Sequence, residues 1–350
     1  MGEVDRRSGE GSDRRSGEGS DHSSGVSLDP PPTDLPQPPY RGRFAPSPTG
    51  DLHFGSLVAA VGSWLDARSR GGEWRVRIED LDPPRERPGA ADQILRNLDG
   101  LGLHWDGPVV RQSTRSEAYA AALDRLQDLG LIRRCSCTRS ALAALASNFE
   151  RSSEDELYHP ADCVGGTGES PGHAIRLRVA DRDVQFVDRS LGTVRSNVAA
   201  ATGDFVLRRR DGLYAYQLAV VVDDAWQGIT DLVRGADLLP STPRQILLQQ
   251  ALVLPTPAYL HLPLAVDDRG RKLSKSEDAP AAGRNGPGDA LVAVLGFLRQ
   301  QPPRGLAAAG RDEVLRWAVA HWHPEYFAGM RERRVDGLAA QDGIRGTANL

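Results

Sequence analysis

The sequence predicts an α/β protein organised around an open parallel sheet, and three observations carry that prediction. The stretch from Arg43 to Ser56 reads as a short buried strand, a Pro/Gly turn and the first turn of a helix. Glu73 to Asp82 alternates apolar and polar residues as a strand does and ends in three carboxylates, Glu79, Asp80 and Asp82, at the strand end where ligands sit in such a sheet. Far downstream, Ile229 to Val233 reads as a further strand, ending on Arg234.

Taken in order, the chain opens on a polar extension. Asp5 to Ser12 is repeated as Asp13 to Ser20, and prolines crowd Pro30 to Pro39. With almost nothing apolar to bury, residues 1–39 are expected to be disordered. The first helix is signalled by Leu57, Val58, Val61, Trp64 and Leu65 on one face. Its Gly-rich start aims unpaired N–H groups and a positive dipole end at one spot, which favours phosphate. His53 lies at that mouth, and Gly55 lets a nucleotide approach closely. Helices follow over Ile94 to Leu101 and Ser113 to Leu129, with Ser116 a candidate cap.

Cys135, Cys137 and Cys163 suit a tetrahedral zinc site whose fourth ligand is one of Tyr158, His159, Asp162 or His173. Strands resume at Ala174 to Val179 and Val184 to Val187, and Asp211-Gly212 makes a hairpin turn. Arg208-Arg209-Arg210 is the strongest local basic cluster and suits a phosphate backbone. Tyr216 to Asp224 is apolar enough for a buried helix, and Thr242-Pro243 reads as cap and first residue of another, reaching Leu252. An apolar run, Leu262 to Val266, leads through a turn to Arg271-Lys272-Leu273-Ser274-Lys275-Ser276, a loop able to close over a polyphosphate. Ala290 to Leu298 and Glu313 to Trp322 read as two helices forming a small cap, and the chain from about Arg331 is expected to fray.

At 350 residues the chain allows about two domains. A net charge of −4 advertises no global attraction to nucleic acid, so such a partner needs a local patch. Nothing approaches the roughly 18 apolar residues of a membrane span, and the N-terminus lacks an apolar signal core. Three cysteines make no disulfide framework and fit a reducing, cytoplasmic setting.

His53-Phe-Gly-Ser56 and Lys272-Leu-Ser-Lys-Ser276 together resemble the two signature motifs of class I aminoacyl-tRNA synthetases. Arg43 to Gly50, Val76 to Asp82 and Val233-Arg-Gly-Ala-Asp237 narrow the resemblance to the glutamyl-tRNA synthetase family over roughly residues 40–301. Ser56 in the first motif, the Cys-x-Cys pair and the Tyr216 to Asp224 run make the chain similar to its truncated branch, the glutamyl-Q tRNA(Asp) synthetases. Fewer than about a hundred residues follow Lys275, so no helical anticodon-binding domain is expected.

The resemblance implies a Rossmann-type catalytic domain in two halves, 40–133 and 174–254. It also implies a zinc-binding insertion over 134–173, the lysine loop and helical cap over 255–330, and a flexible tail over 331–350. It implies that Arg43, Phe44, Ala45, Pro46, Ser47, Glu79, Tyr216 and Arg234 bind L-glutamate. His53, Gly55, Lys272 and Lys275 would bind ATP with Mg²⁺, His53 and Lys275 being catalytic, and Cys135, Cys137, Tyr158 and Cys163 would bind Zn²⁺. Tyr158 and Cys163 stand five apart where the family has four, which leaves His159 and Asp162 open. The implied reaction makes glutamyl-adenylate without tRNA and passes the glutamyl group to queuosine in the anticodon loop of tRNA(Asp). The enzyme is expected to act as a monomer. The alternatives are a truncated synthetase charging a 3′ end and a silent tRNA-binding protein.

Overall fold

The computed structural model describes residues 39–138, 140, 142, 158, 159, 163, 172–273 and 286–335. The N-terminal repeat, Asp162, and Ser274 to Ser276 with Lys275 lie outside them. In chain order the first elements are β1 (Arg41–Phe44), α1 (Phe54–Arg68), β2 (Glu73–Ile78), α2 (Ala90–Gly100), β3 (Val110–Arg111), α3 (Ser116–Asp128) and β4 (Ile132–Cys135). Next come β5 (Ala174–Leu177), β6 (Asp183–Asp188), β7 (Gly192–Asn197), α4 (Val198–Ala201), β8 (Val206–Arg208) and α5 (Tyr216–Trp226). The remainder are β9 (Asp231–Gly235), α6 (Thr242–Leu252), β10 (Ala258–Leu262), β11 (Leu264–Val266), α7 (Pro287–Phe297), α8 (Arg311–Ala320) and β12 (Glu332–Arg334).

The parallel sheet is present as expected. β1 pairs with β2 and β2 with β3, all parallel, and β9 and β6 flank β10, also parallel. The two groups meet at β1 and β9. Thr230 N–H, at the head of β9, donates to the Arg41 carbonyl at 2.9 Å, and Arg41 N–H donates to the Thr230 hydroxyl at 2.8 Å. Strand order therefore reverses between β1 and β9, and the crevice beyond their carboxyl ends is where such a sheet holds its ligand.

Strand residues alternate between two cores because successive side chains point to opposite faces. Val233 and Leu260 pack with α1, α2, α7 and α8 on one face, while Leu232 and Tyr259 pack with α3, α5 and α6 on the other. The five residues that signalled α1 are all buried in the first core. A three-stranded antiparallel sheet, β4-β5-β8, stands apart from the parallel one and carries the cysteines.

α7 and α8 pack on the core around α1. Three expectations change. The chain after Arg331 continues as β12, paired parallel with β11, and Arg333 anchors it to the carbonyls of Gly296 and Phe297. Ser116 is the first residue of α3 and makes no cap, Arg115 standing before it. Ser241 precedes α6, and the Thr242 hydroxyl is committed to a deeper contact described below. Among the described residues, no helix is long and apolar enough to cross a membrane.

Candidate active site and metal centre

Beyond β1 the chain passes Ala45, Pro46 and the exposed Ser47 before turning toward α1. Glu79 N–H donates to the Pro46 carbonyl at 3.0 Å, which ties the end of β2 to this loop. Phe44 turns inward, stacked on Trp74 with ring centres 6.3 Å apart. The glutamate contact expected there is thereby limited to backbone, because the ring is spent on the core. His53 caps α1: its Nδ1 accepts from Ser56 N–H at 3.3 Å and its Nε2 lies 3.0 Å from Ser56 Oγ. A Cβ on Gly55 would come within 3.3 Å of that ring, so glycine leaves the imidazole room to turn.

The charged centre is buried and alternates in sign. Arg43 forks onto Asp224 of α5, with Nε to Oδ1 at 3.1 Å and Nη2 to Oδ2 at 3.2 Å. Arg77 donates from Nη1 to Asp224 Oδ1 at 2.7 Å and from Nη2 to Glu79 Oε1 at 3.2 Å. The two guanidiniums share Asp224, which takes three of these four contacts, and Glu79 takes the single remaining one. The expectation that Arg43 forks onto a substrate carboxylate is corrected: its Nε/Nη2 edge is occupied by Asp224, leaving Nη1.

The two acids differ. Burial works to raise the pKa of Asp224, but Arg43 and Arg77 outweigh it and hold that carboxyl below the usual range. Burial raises Glu79 above its ordinary value, and Arg77 and Arg43 only partly offset this. Glu79 is thus the acid whose ionised form is under-compensated, and an added cation beside it would be favoured.

Arg234, 3% exposed, lies at the carboxyl end of β9. Its Nη2 donates to Thr242 Oγ1 at 2.8 Å, its Nε to His261 Nε2 at 3.3 Å and its Nη1 to Tyr216 Oη at 3.5 Å. All three partners are uncharged acceptors, and among the described residues no carboxylate pairs with Arg234. Tyr216 opens α5; burial raises its phenol pKa, and the charges of Arg234, Glu79 and Arg43 all act on it. The four charged or phenolic groups expected to hold glutamate are therefore gathered in one place.

His261 was not singled out in the sequence. Its Nδ1 lies 2.6 Å from Asp188 Oδ2 at the end of β6. Burial lowers the His261 pKa despite Asp188, so the ring is neutral. Burial also opposes ionisation of Asp188, but the hydrogen bond from His261 and two backbone N–H groups hold its pKa below the usual range. A neutral ring beside a carboxylate carries its proton on Nδ1, leaving Nε2 as acceptor for Arg234. The line Asp188–His261–Arg234 thus aims the guanidinium. His261→Asn keeps a donor toward Asp188 and removes the acceptor; KM for glutamate should rise about tenfold, the weight of one hydrogen bond to a charged group, with KM for ATP unchanged. Steady-state kinetics in each substrate separates this from general damage, which would raise both.

Lys272 Nζ pairs with Asp237 Oδ2 at 2.5 Å, three residues beyond Arg234, so the lysine loop starts over the end of β9. Lys275 lies outside the described residues.

At the tip of the antiparallel sheet, Cys135, Cys137, His159 and Cys163 bring their donor atoms within 4.8 Å of one another. His159 Nε2 is 3.0 Å from Cys135 Sγ, and the Cys137 and Cys163 sulfurs are 3.4 Å apart. A tetrahedron with bonds of roughly 2.0–2.3 Å has edges on the order of 3.3–3.8 Å, so the set fits one ion. Burial, then the neighbouring thiols, push Cys137 up to about 12. His159 is held neutral, its pKa lowered to about 4 by burial and the nearby arginines Arg176 and Arg133. His159, one of the residues left open beside Tyr158, is the one whose ring nitrogen gathers with the three sulfurs. Its backbone rests on Gly203 (φ +67°), where a Cβ would overlap the His159 carbonyl oxygen. His173 lies outside this set, and Asp162 lies outside the described residues.

Residues 40–306 match the family model described as tRNA synthetases class I (E and Q), catalytic domain. A glutamyl-Q tRNA(Asp) synthetase of Dechloromonas aromatica is 55% identical over 285 residues, covering 81% of this chain and 94% of the relative. One from Xanthomonas axonopodis pv. citri is 53% identical over 307 residues, covering 87% and 98%. Among solved structures, a glutamate-tRNA synthetase of Elizabethkingia anophelis superposes with a TM-score of 0.69 at 24% identity, over 85% of this chain and 68% of that one. That likeness is one of fold.

Proposed function

Because this chain belongs to the glutamyl-Q tRNA(Asp) synthetase family, within the class I glutamyl and glutaminyl synthetases, we propose that it glutamylates queuosine in the anticodon loop of tRNA(Asp). Membership makes it an ATP-using ligase with a glutamyl-tRNA synthetase-like activity. The observation that carries the glutamate assignment is the pairing of unmet charges in one crevice: Arg234 with no carboxylate partner among the described residues, and Glu79 short of cations.

In this reading Arg234 and Tyr216 receive the side-chain carboxylate, and Glu79 receives the ammonium. Arg43 Nη1 and the Ala45 to Ser47 loop border the α-carboxylate. An oxygen of that α-carboxylate attacks the α-phosphorus of ATP, and the bond to the β-phosphate breaks, releasing pyrophosphate. His53 and the N–H groups at the head of α1 stabilise charge on the transferring phosphate, and Lys275 of the second motif is assigned the same role by the resemblance. Mg²⁺ bound with ATP would supply neutralising charge to its phosphates. A hydroxyl of the acceptor then attacks the acyl carbon and AMP leaves. Chemistry of this kind needs positioning and charge rather than covalent help from the protein.

Transfer tests the acceptor. Radiolabelled glutamate should become attached to tRNA(Asp) from cells that make queuosine and not to the same tRNA from cells that cannot. Equal labelling of both, at the 3′ end, would instead mark a truncated synthetase.

The thiol cluster is read as a zinc site. Four protein donors leave no open position, so the ion would be structural. About one zinc per chain is expected by elemental analysis. Removing it with a chelator, or by His159→Ala, should lower Tm by about 5–10 °C. Metal-free protein with unchanged Tm would contradict the assignment.

A further inference from the structure

A cavity of about 250 Å³ opens at Arg134, the neighbour of Cys135 in β4. Its walls include Arg134 of β4, His173 and Ile175 at the start of β5, and Arg208, Arg210 and Gly212 of the hairpin after β8. Register explains the crowding of charge. Arg134 is paired with Ile175 and Ile175 with Arg208 across the antiparallel sheet, so the three side chains stand in one row on one face.

The cations here are held by neutral groups. Arg208 Nε donates to the Gly212 carbonyl at 3.0 Å and its guanidinium lies 5.5 Å from the Tyr214 ring centre. Arg210 Nε donates to the Gly172 carbonyl at 2.6 Å. Among the described residues, none of Arg134, Arg208 and Arg210 has a carboxylate partner. Arg209, which also borders the cavity, instead reaches Asp82 at 3.2 Å and Asp211 at 2.6 Å. In a protein of net charge −4, a concave cluster of arginines without acidic partners focuses a local positive field that attracts anions.

We infer that this cavity is a docking site for the RNA sugar-phosphate backbone, one that seats the acceptor tRNA for transfer; the inference rests on the acceptor reading above. Arginine in a row suits a chain of phosphates better than a single anion. Continuity with the crevice supports the role. Tyr214, which bridges to Arg208, precedes Tyr216 by two residues, and the Asp82 held by Arg209 follows Glu79 by three. RNA held here is brought up to the end of the sheet where the adenylate forms.

The test uses Arg134→Ala, Arg208→Ala and the double charge reversal R134E/R208E. Arg210 is left alone because it also braces Gly172 and Ser136 near the cysteines. Glutamate-dependent ATP–pyrophosphate exchange without RNA should stay within about twofold of wild type. Binding of tRNA(Asp), followed by fluorescence anisotropy across a salt series, should weaken about tenfold or more in the double variant. Each alanine variant should flatten the slope of log K against log salt by about 1. Unchanged affinity and slope would overturn the inference, as would exchange falling in step with binding, or full displacement of tRNA by millimolar inorganic phosphate. Failure of the acceptor reading looks different: wild-type protein would then leave queuosine-containing tRNA unlabelled, whatever the variants bind.

Discussion

Arg234→Ala should remove glutamate activation almost entirely. The guanidinium is buried, aimed by His261 and Thr242, and free of any carboxylate among the described residues. A substrate carboxylate placed on it would gain two charge-assisted hydrogen bonds, each about 1.5–3 kcal/mol. Losing both costs about 3–6 kcal/mol, on the order of 10²–10⁴-fold in kcat/KM. Arg234→Lys guards against misfolding as the explanation, since it keeps the charge. It should recover little activity because a single ammonium cannot fork onto a carboxylate. Pyrophosphate exchange with L-glutamate measures both; a lysine variant near wild-type activity would remove Arg234 from the substrate.

Glu79→Gln should be equally damaging to activity but not to stability. The folded protein raises the Glu79 pKa, chiefly by burial. A raised folded pKa means that the folded state binds the proton more tightly than the unfolded state. The contribution to stability is therefore present below the unfolded pKa and is lost as pH rises through the folded one. At neutral pH the ionised side chain is a cost, and glutamine removes it. Thermal melts should show Tm unchanged or higher for Glu79→Gln, with exchange activity down by about 10²-fold or more. In the wild type, KM for glutamate should rise as the medium is acidified through the Glu79 pKa, because the protonated acid no longer attracts the substrate ammonium. A Tm well below wild type would show instead that Glu79 is a structural partner of Arg77.

Much of this was legible in the sequence, for definite physical reasons. Helical spacing placed α1 and strand alternation placed Glu79 at a strand end, where a parallel sheet holds ligands; Arg43, Tyr216 and Arg234 were singled out by the family resemblance. What stayed hidden was the interior of the site. Strand alternation assigns Arg77 to a face opposite Trp74, Val76 and Ile78, and nothing local says that this face is also covered. Because α3, α5 and α6 close over it, Arg77 is fully buried and needs Asp224. Asp224 ended an apolar helix run and carried no sign that it would claim Arg43. Asp188 and His261 are 73 residues apart and meet only because β6 and β10 are neighbours. The fourth donor of the cysteine cluster could not be chosen from spacing alone; the burial of His159 and its 3.0 Å approach to Cys135 arise from its packing on Gly203, 44 residues on.

The central claim is that one crevice reads a free acidic amino acid at both ends and activates it before any RNA arrives. ATP–pyrophosphate exchange, run across the amino acids without tRNA, tests it most directly. The account predicts rapid exchange with L-glutamate and little with L-aspartate or L-glutamine. Exchange that requires tRNA, or that proceeds equally with glutamine, would contradict it.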